Sequence, residues 1–404
     1  MIKYFYILLF CTALLAAYSG ILKKDLNKPV PKKKIGEEVL NIRILSQTKA
    51  VSVLVSPQIG KYQVVADGKL VIELNNQITL KATLVNDSIE LKTEGKLIGK
   101  CKFFRFTSFD EIKSLKIKVI QPERKPRYFD DNLFVSIKEN YLLFINNTYI
   151  DNYIAGVSEA EAGSRSTVEF YKVQTILART YALAHINKHV NDGYNLCDQV
   201  HCQAFYGKSN DAEILEAVAF TKGQVVVDEN LQLISAVFHS NSGGETVNSE
   251  DVWGTKTTYL RAVHDTFSYK MPNAKWERKM LAEDWLIYLK LKHNYPIEDS
   301  LYKTAALYFK QEDRKIYFEF AEYKIPLKII RSDLQLKSTY FTMHPTQKGD
   351  TVIFKGKGFG HGIGMCQEGA MRMTKLGYSY KDVLNFYYQN IYLINLRELN
   401  FFKE

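Results

Sequence analysis

The sequence has a deficit of acidic side chains: its 404 residues include 44 Asp and Glu against 54 Lys and Arg, a net charge of +10. This imbalance is typical of a protein with an acidic partner or an anionic surface to bind, and equally of a merely basic soluble protein. Tryptophan is scarce, with three residues, whereas 26 tyrosines and 23 phenylalanines favour β-rich structure and stacking surfaces over a helical bundle. No repeat of fixed period stands out, which argues against a repeat architecture.

A nucleotide-binding signature is also missing. The stretch "GKGFGHGIGM", Gly356 to Met365, has glycine at every second position but lacks the Lys–Ser/Thr end of a P-loop. No βαβ context with a distal acid follows it, so a phosphate cradle is disfavoured. On an extended strand the alternation would leave one face without side chains. A packed helix or a flat polymer such as a sugar chain could lie against that face.

The N-terminus predicts a signal peptide or membrane anchor over residues 1–22. The run from Tyr4 to Leu22 is apolar and free of charge, about the length that spans a membrane. Six lysines follow between Lys23 and Lys34, where positive charge opposes export. Residues 23–36 are interpreted as a basic linker.

The rest of the chain predicts an α+β fold with a mostly antiparallel β body. Residues 37–150 contain short β-like runs separated by turn signals. A long helix follows a loop that begins at residue 151, and Ser166 and Glu169 form a candidate capping box at its start. Shorter helices are predicted near residues 281–292 and 364–376. Residues 151–395 are assigned to one domain, with 267–323 as a candidate insertion.

A pair of acids lies in the predicted loop before the long helix. In "YIAGVSEAEAGS", Glu159 and Glu161 are flanked by small or apolar residues. A carboxyl group in an apolar setting keeps its proton to higher pH and can act as a general acid. The alternative is two exposed acids in a loop.

Soft ligands cluster in "NLCDQVHCQAFYG", which contains Cys197, His201 and Cys202. These residue types predict a zinc site, although the spacing matches no common zinc finger. A Cys197–Cys202 disulfide and a catalytic cysteine are the alternatives. Further along, the polar stretch "AVFHSNSGGETVNSEDVWG" is suited either to sugar recognition or to a hairpin loop.

Taken in order, these stretches resemble the SpoIID/LytB family of peptidoglycan-active proteins. The resemblance runs from about Tyr153 to Tyr388 and rests on "YIAGVSEAE", "KVQTILARTYAL", "HCQAFYG", "FHSNSGGET" and "GFGHGIGMCQEGA". It implies export from the cytoplasm, because peptidoglycan lies outside it. The expected location is therefore extracytoplasmic, with membrane contact only through the N-terminal segment and no nucleic-acid partner.

The resemblance also implies roles for individual residues. Sporulation-type members are lytic transglycosylases that cut peptide-free glycan strands, and their catalytic glutamate aligns with Glu161. Some members bind zinc in the block that matches Cys197, His201 and Cys202; a structural zinc is therefore expected, with His189 preferred to His185 as fourth ligand. The residues expected to line the glycan groove are Arg179, Gln203, Tyr206, His239, Ser240, Ser242, His361 and Gln367.

The expected reaction breaks MurNAc–GlcNAc bonds with one carboxyl group and leaves anhydro-MurNAc ends. A glycoside hydrolase would instead need two carboxylates at set separations. The alternative function is a non-catalytic glycan-binding protein that stimulates a cell-wall amidase as its partner. A thiol nucleophile at Cys366 or Cys202, helped by His361 or His201, is a third and weaker hypothesis. The sequence departs from the family pattern at Cys366 and Glu368, where serine and tryptophan are usual.

Overall fold

The computed structural model describes residues 39–396. The predicted signal peptide or anchor and the basic linker lie outside the described residues. Within the described part of the chain, none of the helices has the length and apolar character needed to cross a membrane.

Two antiparallel sheets form the N-terminal β body, and the alternation of buried and exposed residues along their strands explains how they pack. In β1 (Val39–Ile44), for example, every second side chain is buried. The other strands are β2 (Ser52–Ile59), β3 (Tyr62–Ala66), β4 (Lys69–Leu74), β5 (Leu80–Val85), β6 (Ser88–Thr93), β7 (Lys96–Cys101), β8 (Phe103–Thr107), β9 (Ser114–Gln121), β10 (Arg127–Asp130), β11 (Asn132–Lys138) and β12 (Tyr141–Tyr149).

One sheet has the order β13-β1-β12-β11-β8-β3-β4 and the other β10-β9-β2-β5-β6-β7, where β13 is Leu196–Cys197. β13 pairs in parallel with β1, so a strand of only two residues attaches a distant loop to the edge of the β body. One hydrophobic cluster contains side chains of the β body, such as Leu40 and Phe144, together with helical residues such as Ile154 and Ile176. The β body and the helices therefore share a core.

The helices of the second half surround this core, and the α+β class predicted from the sequence is confirmed. They are α1 (Ile150–Ala162), α2 (Val168–Ala184), α3 (Ala212–Phe220), α4 (Ser249–Trp253), α5 (Ala282–His293), α6 (Ser300–Leu307), α7 (Leu327–Asp333), α8 (Gln367–Lys375) and α9 (Tyr380–Tyr387). Short strands complete this half: β14 (Gln224–Val227), β15 (Phe238–His239), β21 (Met365–Cys366) and β22 (Tyr392–Asn395).

Two local predictions before the long helix are wrong. The acidic stretch predicted as a loop is the helix α1, which begins directly after β12 and ends at Gly163, whose φ is +70°. The long helix α2 is capped one residue later than predicted, because the side chain of Thr167 accepts a hydrogen bond from the backbone N–H of Phe170. Ser166 and Glu169 therefore do not form a capping box.

Residues 275–357 contain a second hydrophobic cluster, centred on Trp285 and Phe354. It is built from α5, α6 and α7 and from the strands β16 (Lys275–Leu281), β17 (Tyr317–Phe320), β18 (Tyr323–Pro326), β19 (Phe341–Pro345) and β20 (Thr351–Lys357). The candidate insertion 267–323 covers the first part of this unit. Its sheet has the order β16-β20-β19.

The glycine-rich segment is not the extended strand that its alternation predicted. β20 ends at Lys357, and Gly358, Gly360, Gly362 and Gly364 all have positive φ. At Gly364 an added Cβ would lie 2.1 Å from the carbonyl oxygen of Val237. Protein atoms therefore occupy the space that a sugar chain could have filled: backbone of residues 237–243 lies against Gly358 and Gly364, and the side chains of His239 and Arg314 lie against Gly360 and Gly362.

We expect Gly364→Ala to lower stability by about 3 kcal/mol or more, because both the positive φ and the close carbonyl oppose a side chain. Gly377→Ala is the matched control: its φ is +94° and nothing lies within 4 Å of the added Cβ. That variant should lose only about 1 kcal/mol. Urea unfolding of both proteins measures the difference, and equal losses would contradict the packing argument.

Candidate functional site

Glu161 lies in the last turn of α1 and points towards the loop that follows β13. Its Oε1 accepts a hydrogen bond of 2.6 Å from the backbone N–H of Ala204. Burial raises the pKa of the Glu161 carboxyl above its ordinary value, and the Ala204 hydrogen bond acts in the opposite direction. Burial has the larger effect, so the protonated form persists to higher pH than in an exposed glutamate.

Glu159 does not form a carboxyl pair with Glu161. Residues two apart on an α-helix point to different sides, and both glutamates belong to α1. No neighbouring carboxylate among the described residues contributes to the pKa shift of Glu161. The site therefore has the character of a single acid in a partly buried setting.

Four soft side chains converge beside this acid. The donor atoms of His189, Cys197, His201 and Cys202 all lie within 4.8 Å of one another. The Sγ of Cys197 is 3.4 Å from Nδ1 of His201, and Nε2 of His189 is 3.1 Å from Nε2 of His201. A hydrogen bond with Cys197 lowers the pKa of the Cys202 thiol, which favours the thiolate that binds metals.

Neither a Cys197–Cys202 disulfide nor a ligand role for His185 matches the geometry of this cluster. Cys197 and Cys202 are both free thiols, so the predicted alternative of a disulfide is absent from the described structure. His185 instead stacks on Tyr181, with ring centroids 4.0 Å apart, and is not a member of the cluster. The chemistry of two cysteines and two histidines fits a tetrahedral zinc site.

The loop from Cys197 to Gly207 is fixed by contacts that sequence reasoning missed. The Asp198 carboxylate accepts hydrogen bonds from the Leu45 backbone N–H at 2.8 Å and from Arg127 Nη1 at 3.2 Å. The Nε of Arg127 donates to the carbonyl of Tyr206 at 2.9 Å. Nothing in the sequence distinguishes Asp198 and Arg127 from other charged surface residues, because their partners are more than 70 positions away in the chain.

α1 and this loop approach each other closely at Gly156. A Cβ on Gly156 would lie 2.1 Å from the carbonyl oxygen of Gly207 and 2.5 Å from the ring of Phe205. The absence of a side chain at this position lets the loop lie directly on the helix. This contact positions Ala204 to bind Glu161.

Tyr181 is a further neighbour of the site, and the sequence indicated only a helical core position for it. Burial raises the pKa of its hydroxyl to about 12, and Cys202, Glu161 and Cys197 add to the increase. The Tyr181 hydroxyl is therefore neutral at physiological pH. It donates to the His201 carbonyl at 3.4 Å, which places it beside the cluster.

Several residues predicted to line a glycan groove are buried instead. Arg179 has no exposed surface and donates to the Thr221 carbonyl at 2.8 Å and to Asp151 at 2.9 Å. Ser242 is also fully buried, with its Oγ 2.8 Å from both Asp265 and Ser268. The predicted groove role is wrong for these two residues, because each is held inside the protein.

Gln203 and His239 are buried as well, at 3% and 4% exposure. The Nε2 of Gln203 donates to the carbonyl of Ala178 at 3.3 Å, and Nδ1 of His239 lies 3.1 Å from the carbonyl of Ile363. These contacts contradict a groove-lining role for both side chains. They connect the helix α2 and the glycine-rich segment to the core.

The other predicted groove residues differ in how accessible they are. Tyr206 is 62% exposed beside the guanidinium of Arg127. Ser240 is partly exposed, and its Oγ accepts from Asn273 at 3.3 Å. The Nε2 of Gln367 donates a hydrogen bond to the backbone carbonyl of Glu161 at 3.2 Å.

His361 is held as a neutral imidazole. Its Nδ1 accepts from the Ile363 backbone N–H at 3.0 Å, and its Nε2 donates to the Phe238 carbonyl at 3.0 Å. Burial lowers the pKa of His361 to about 4. Both ring nitrogens are engaged with backbone, so this histidine holds the glycine-rich segment in place.

The geometry contradicts the hypothesis of a thiol nucleophile at Cys366. Its side chain is fully buried, and burial raises the pKa of the thiol well above its ordinary value. Sγ of Cys366 accepts hydrogen bonds from the backbone N–H groups of Ser242 and Gly369 at 3.2 and 3.3 Å. Cys202, the other proposed nucleophile, is one of the four clustered ligands.

Glu368, the second position at which the sequence departs from the family pattern, has a clear structural role. Both carboxylate oxygens of Glu368 bind Asn273, and Oε2 also accepts from Asn241 Nδ2 at 2.6 Å. Glu368 thus ties the start of α8 to the chain that leads into β16.

Fold and site together define an α+β protein with one partly buried acid beside a Cys₂His₂ cluster. The family model described as Stage II sporulation protein matches residues 138–227, which include Glu161 and all four cluster residues. Over this segment the chain is similar to the SpoIID family.

Three relatives show how far the similarity extends. Stage II sporulation protein D of Bacillus subtilis is 28% identical over 262 residues, which cover 61% of this chain and 74% of the relative. The Amidase enhancer of Bacillus subtilis is 27% identical over 285 residues, 58% of this chain and 39% of that protein. An uncharacterised protein of Brachyspira hyodysenteriae is 27% identical over 282 residues, 68% of this chain and 74% of that protein.

The raised pKa of Glu161 predicts a pH-dependent gain of stability in Glu161→Gln. Above the ordinary glutamate pKa of 4.5 the native state binds more protons than the unfolded state, so wild-type stability falls as pH rises. The variant lacks this loss and should melt at a higher temperature than wild type near about pH 7 and at a similar one near about pH 4. Glu159→Gln controls for removal of a charge from the same helix. A gain that is equal at both pH values would contradict the assignment.

Proposed function

We propose that this protein is a peptidoglycan lytic transglycosylase that uses Glu161 as its single acid and base. The observation that carries the proposal is the Glu161 carboxyl itself: it is partly buried, its pKa is raised, and no second carboxylate takes part in that shift among the described residues. A two-carboxylate hydrolase is not supported by this arrangement.

The reaction requires one proton to move twice. Protonated Glu161 donates to the oxygen of the MurNAc–GlcNAc bond while the bond from C1 of MurNAc to that oxygen breaks. The carboxylate then takes the proton of the muramic acid 6-hydroxyl as that oxygen bonds to C1. The products are an anhydro-MurNAc end and a free GlcNAc hydroxyl, and Glu161 regains its proton. Because the nucleophile belongs to the substrate, its proximity supplies much of the rate increase.

The Ala204 N–H has a defined part in this cycle. It faces the Glu161 carboxyl at 2.6 Å and stabilises the charged form that exists between the two proton transfers. Gln367 fixes the backbone of the same residue through its carbonyl. Both are positioning contacts that hold the acid against the substrate.

We also propose that the Cys₂His₂ cluster binds a structural zinc ion. His189, Cys197, His201 and Cys202 supply four ligands, which leaves no open coordination position for chemistry. A bound zinc ion would cross-link the loop that presents Ala204 to Glu161. Its contribution would be to the rigidity of the site.

The proposed substrate is peptide-free glycan in the cell envelope, reached by export through the N-terminal segment. A second candidate function follows from the relative named Amidase enhancer. In that alternative the chain binds glycan strands and stimulates a cell-wall amidase, without cleaving the glycan itself.

Digestion of purified glycan strands tests the enzymatic proposal. Wild-type protein should release anhydro-MurNAc ends from peptide-free strands, detected by mass spectrometry, and Glu161→Gln should reduce the rate at least about a thousandfold. Glu159→Gln is the matched control and should retain most of the activity. Reducing ends in place of anhydro ends would indicate hydrolysis. Tight binding without any cleavage by wild type would favour the amidase-stimulating function.

Metal analysis tests the zinc proposal. Purified wild type should contain one zinc per chain, and Cys197→Ser and Cys202→Ser should each lose it and melt at a lower temperature. Cys101→Ser is the control, because Cys101 is buried in the β body outside the cluster. Wild-type protein free of zinc after purification without chelators, and unchanged on adding zinc, would contradict the proposal.

A further inference from the structure

A like-charged pair of lysines lies on the outer face of the β16-β20-β19 sheet. In the antiparallel pair β16–β20, Lys275 is directly opposite Lys357, and both side chains are exposed. Like charges directly opposite in a sheet are destabilising. Among the described residues, no carboxylate lies within 4.0 Å of the ammonium groups of Lys275, Lys355 or Lys357.

The acid closest in the sheet does not neutralise these lysines. Glu277 is opposite Lys355 in the register, but its carboxylate is 4.0 Å from Lys279 on its own strand. Lys357 instead contacts an aromatic ring, with Nζ 4.6 Å from the centroid of Tyr340. Lys357 Nζ also donates to the Tyr340 hydroxyl at 3.4 Å, but this contact supplies no negative charge, so the face carries excess positive charge.

These lysines border a groove of about 410 Å³, a size that suits a small ligand or a sugar unit. Its lining includes the three lysines Lys275, Lys355 and Lys357 and one acid, Glu277, together with Trp276, Tyr340 and Gly356. The indole of Trp276 lies across Gly356, where an added Cβ would be 1.9 Å from the ring, and is partly exposed. Trp276 and Gly356 alternate with the lysines along β16 and β20, so the indole projects from the opposite face of the sheet. The ammonium groups share their face with the ring of Tyr340.

This groove is firmly connected to the candidate site. Asn273, two residues before Lys275, binds Glu368 through both its backbone N–H at 3.1 Å and its side-chain amide at 2.8 Å. Glu368 follows Gln367, which contacts the Glu161 carbonyl at 3.2 Å. The outer sheet face and the acid are therefore parts of one continuous framework.

We propose that this groove is an accessory subsite that binds the free lactyl carboxylates of peptide-free glycan strands. The inference rests on the proposed function, because it takes the same polymer as ligand. A muramic acid without a stem peptide exposes one carboxylate, and a strand repeats that group at regular intervals. The ammonium groups bind the carboxylates through charge-assisted hydrogen bonds. Stem peptides would remove this charge, so the groove would select strands that lack them.

Binding of intact strands in a Glu161→Gln background tests the proposal without cleavage. Adding Lys275→Gln and Lys357→Gln should weaken binding of peptide-free strands about five- to tenfold, measured by isothermal titration calorimetry at low salt. Adding Lys279→Gln instead is the matched control, because Lys279 is on the same strand, 64% exposed and beside Glu277. This control should bind as tightly as the parent.

The ligand supplies a second control. Strands whose lactyl carboxylates are converted to amides should bind the parent and the double-lysine variant equally. The melting temperature of that variant should be unchanged or higher, because a like-charged pair has been relieved. A lower melting temperature that accounts for the lost affinity would overturn the proposal.

Other outcomes also decide it. Equal binding by parent and double-lysine variant would overturn it, and competition by a glycerol-phosphate polymer alone would assign the groove to phosphate. Failure of the proposed function is distinguishable, since it would appear either as no cleavage by wild type or as cleavage that survives Glu161→Gln. Carboxylate-dependent binding could still be present in that case.

Discussion

The candidate site depends on the hydrogen bond from the Ala204 backbone N–H to the Glu161 carboxyl. A backbone donor cannot move to a new rotamer, so its position is set by the fold of the whole loop from Cys197 to Gly207. That loop is attached to the β body through β13 and through Asp198, and it lies on α1 at Gly156. The β body contributes only Cys197, through β13, to the four-residue cluster and does not contribute the acid, yet it determines where the acid is held.

The glycine-rich segment has a comparable role on the other side of the acid. It is in close contact with the backbone of residues 237–243, the Cβ of His239 and the guanidinium of Arg314. It leads into α8, where Gln367 contacts Glu161. Three neighbours approach the chain at alternate positions, and each approach is too close for a side chain. The alternation of glycines therefore results from close packing inside the protein. The segment also joins the second hydrophobic cluster to the site.

The sequence predicts some parts of this arrangement better than others, for physical reasons. The strands of the β body follow from period-two alternation, and α2 follows from apolar residues at helical spacing. The sequence could not show that Arg179 is buried and does not line a groove. Helical periodicity indicates which face of a helix is buried, but not which charged partner lies there. It also could not distinguish an extended glycine strand from a chain of tight turns, because glycine permits both conformations. α1 is a helix although it was predicted as a loop. Its alanines and glutamates favour a helix, Gly156 and Ser158 disfavour one, and the packing of Gly156 on Phe205 is a contact that the sequence does not show.

A residue that serves as both acid and base must release its proton and recover it within one cycle. Burial alone would raise the pKa of Glu161 until the charged intermediate became too costly, and full exposure would leave it ionised before the reaction began. In the structure, burial raises the pKa of Glu161 and one backbone N–H lowers it. That N–H favours the carboxylate without adding a full positive charge beside it. A nearby lysine or arginine would stabilise the carboxylate too strongly for it to act as an acid. The excess of positive charge on this chain is instead found on surfaces such as the β16–β20 face, where it can attract an anionic polymer while leaving the acid protonated.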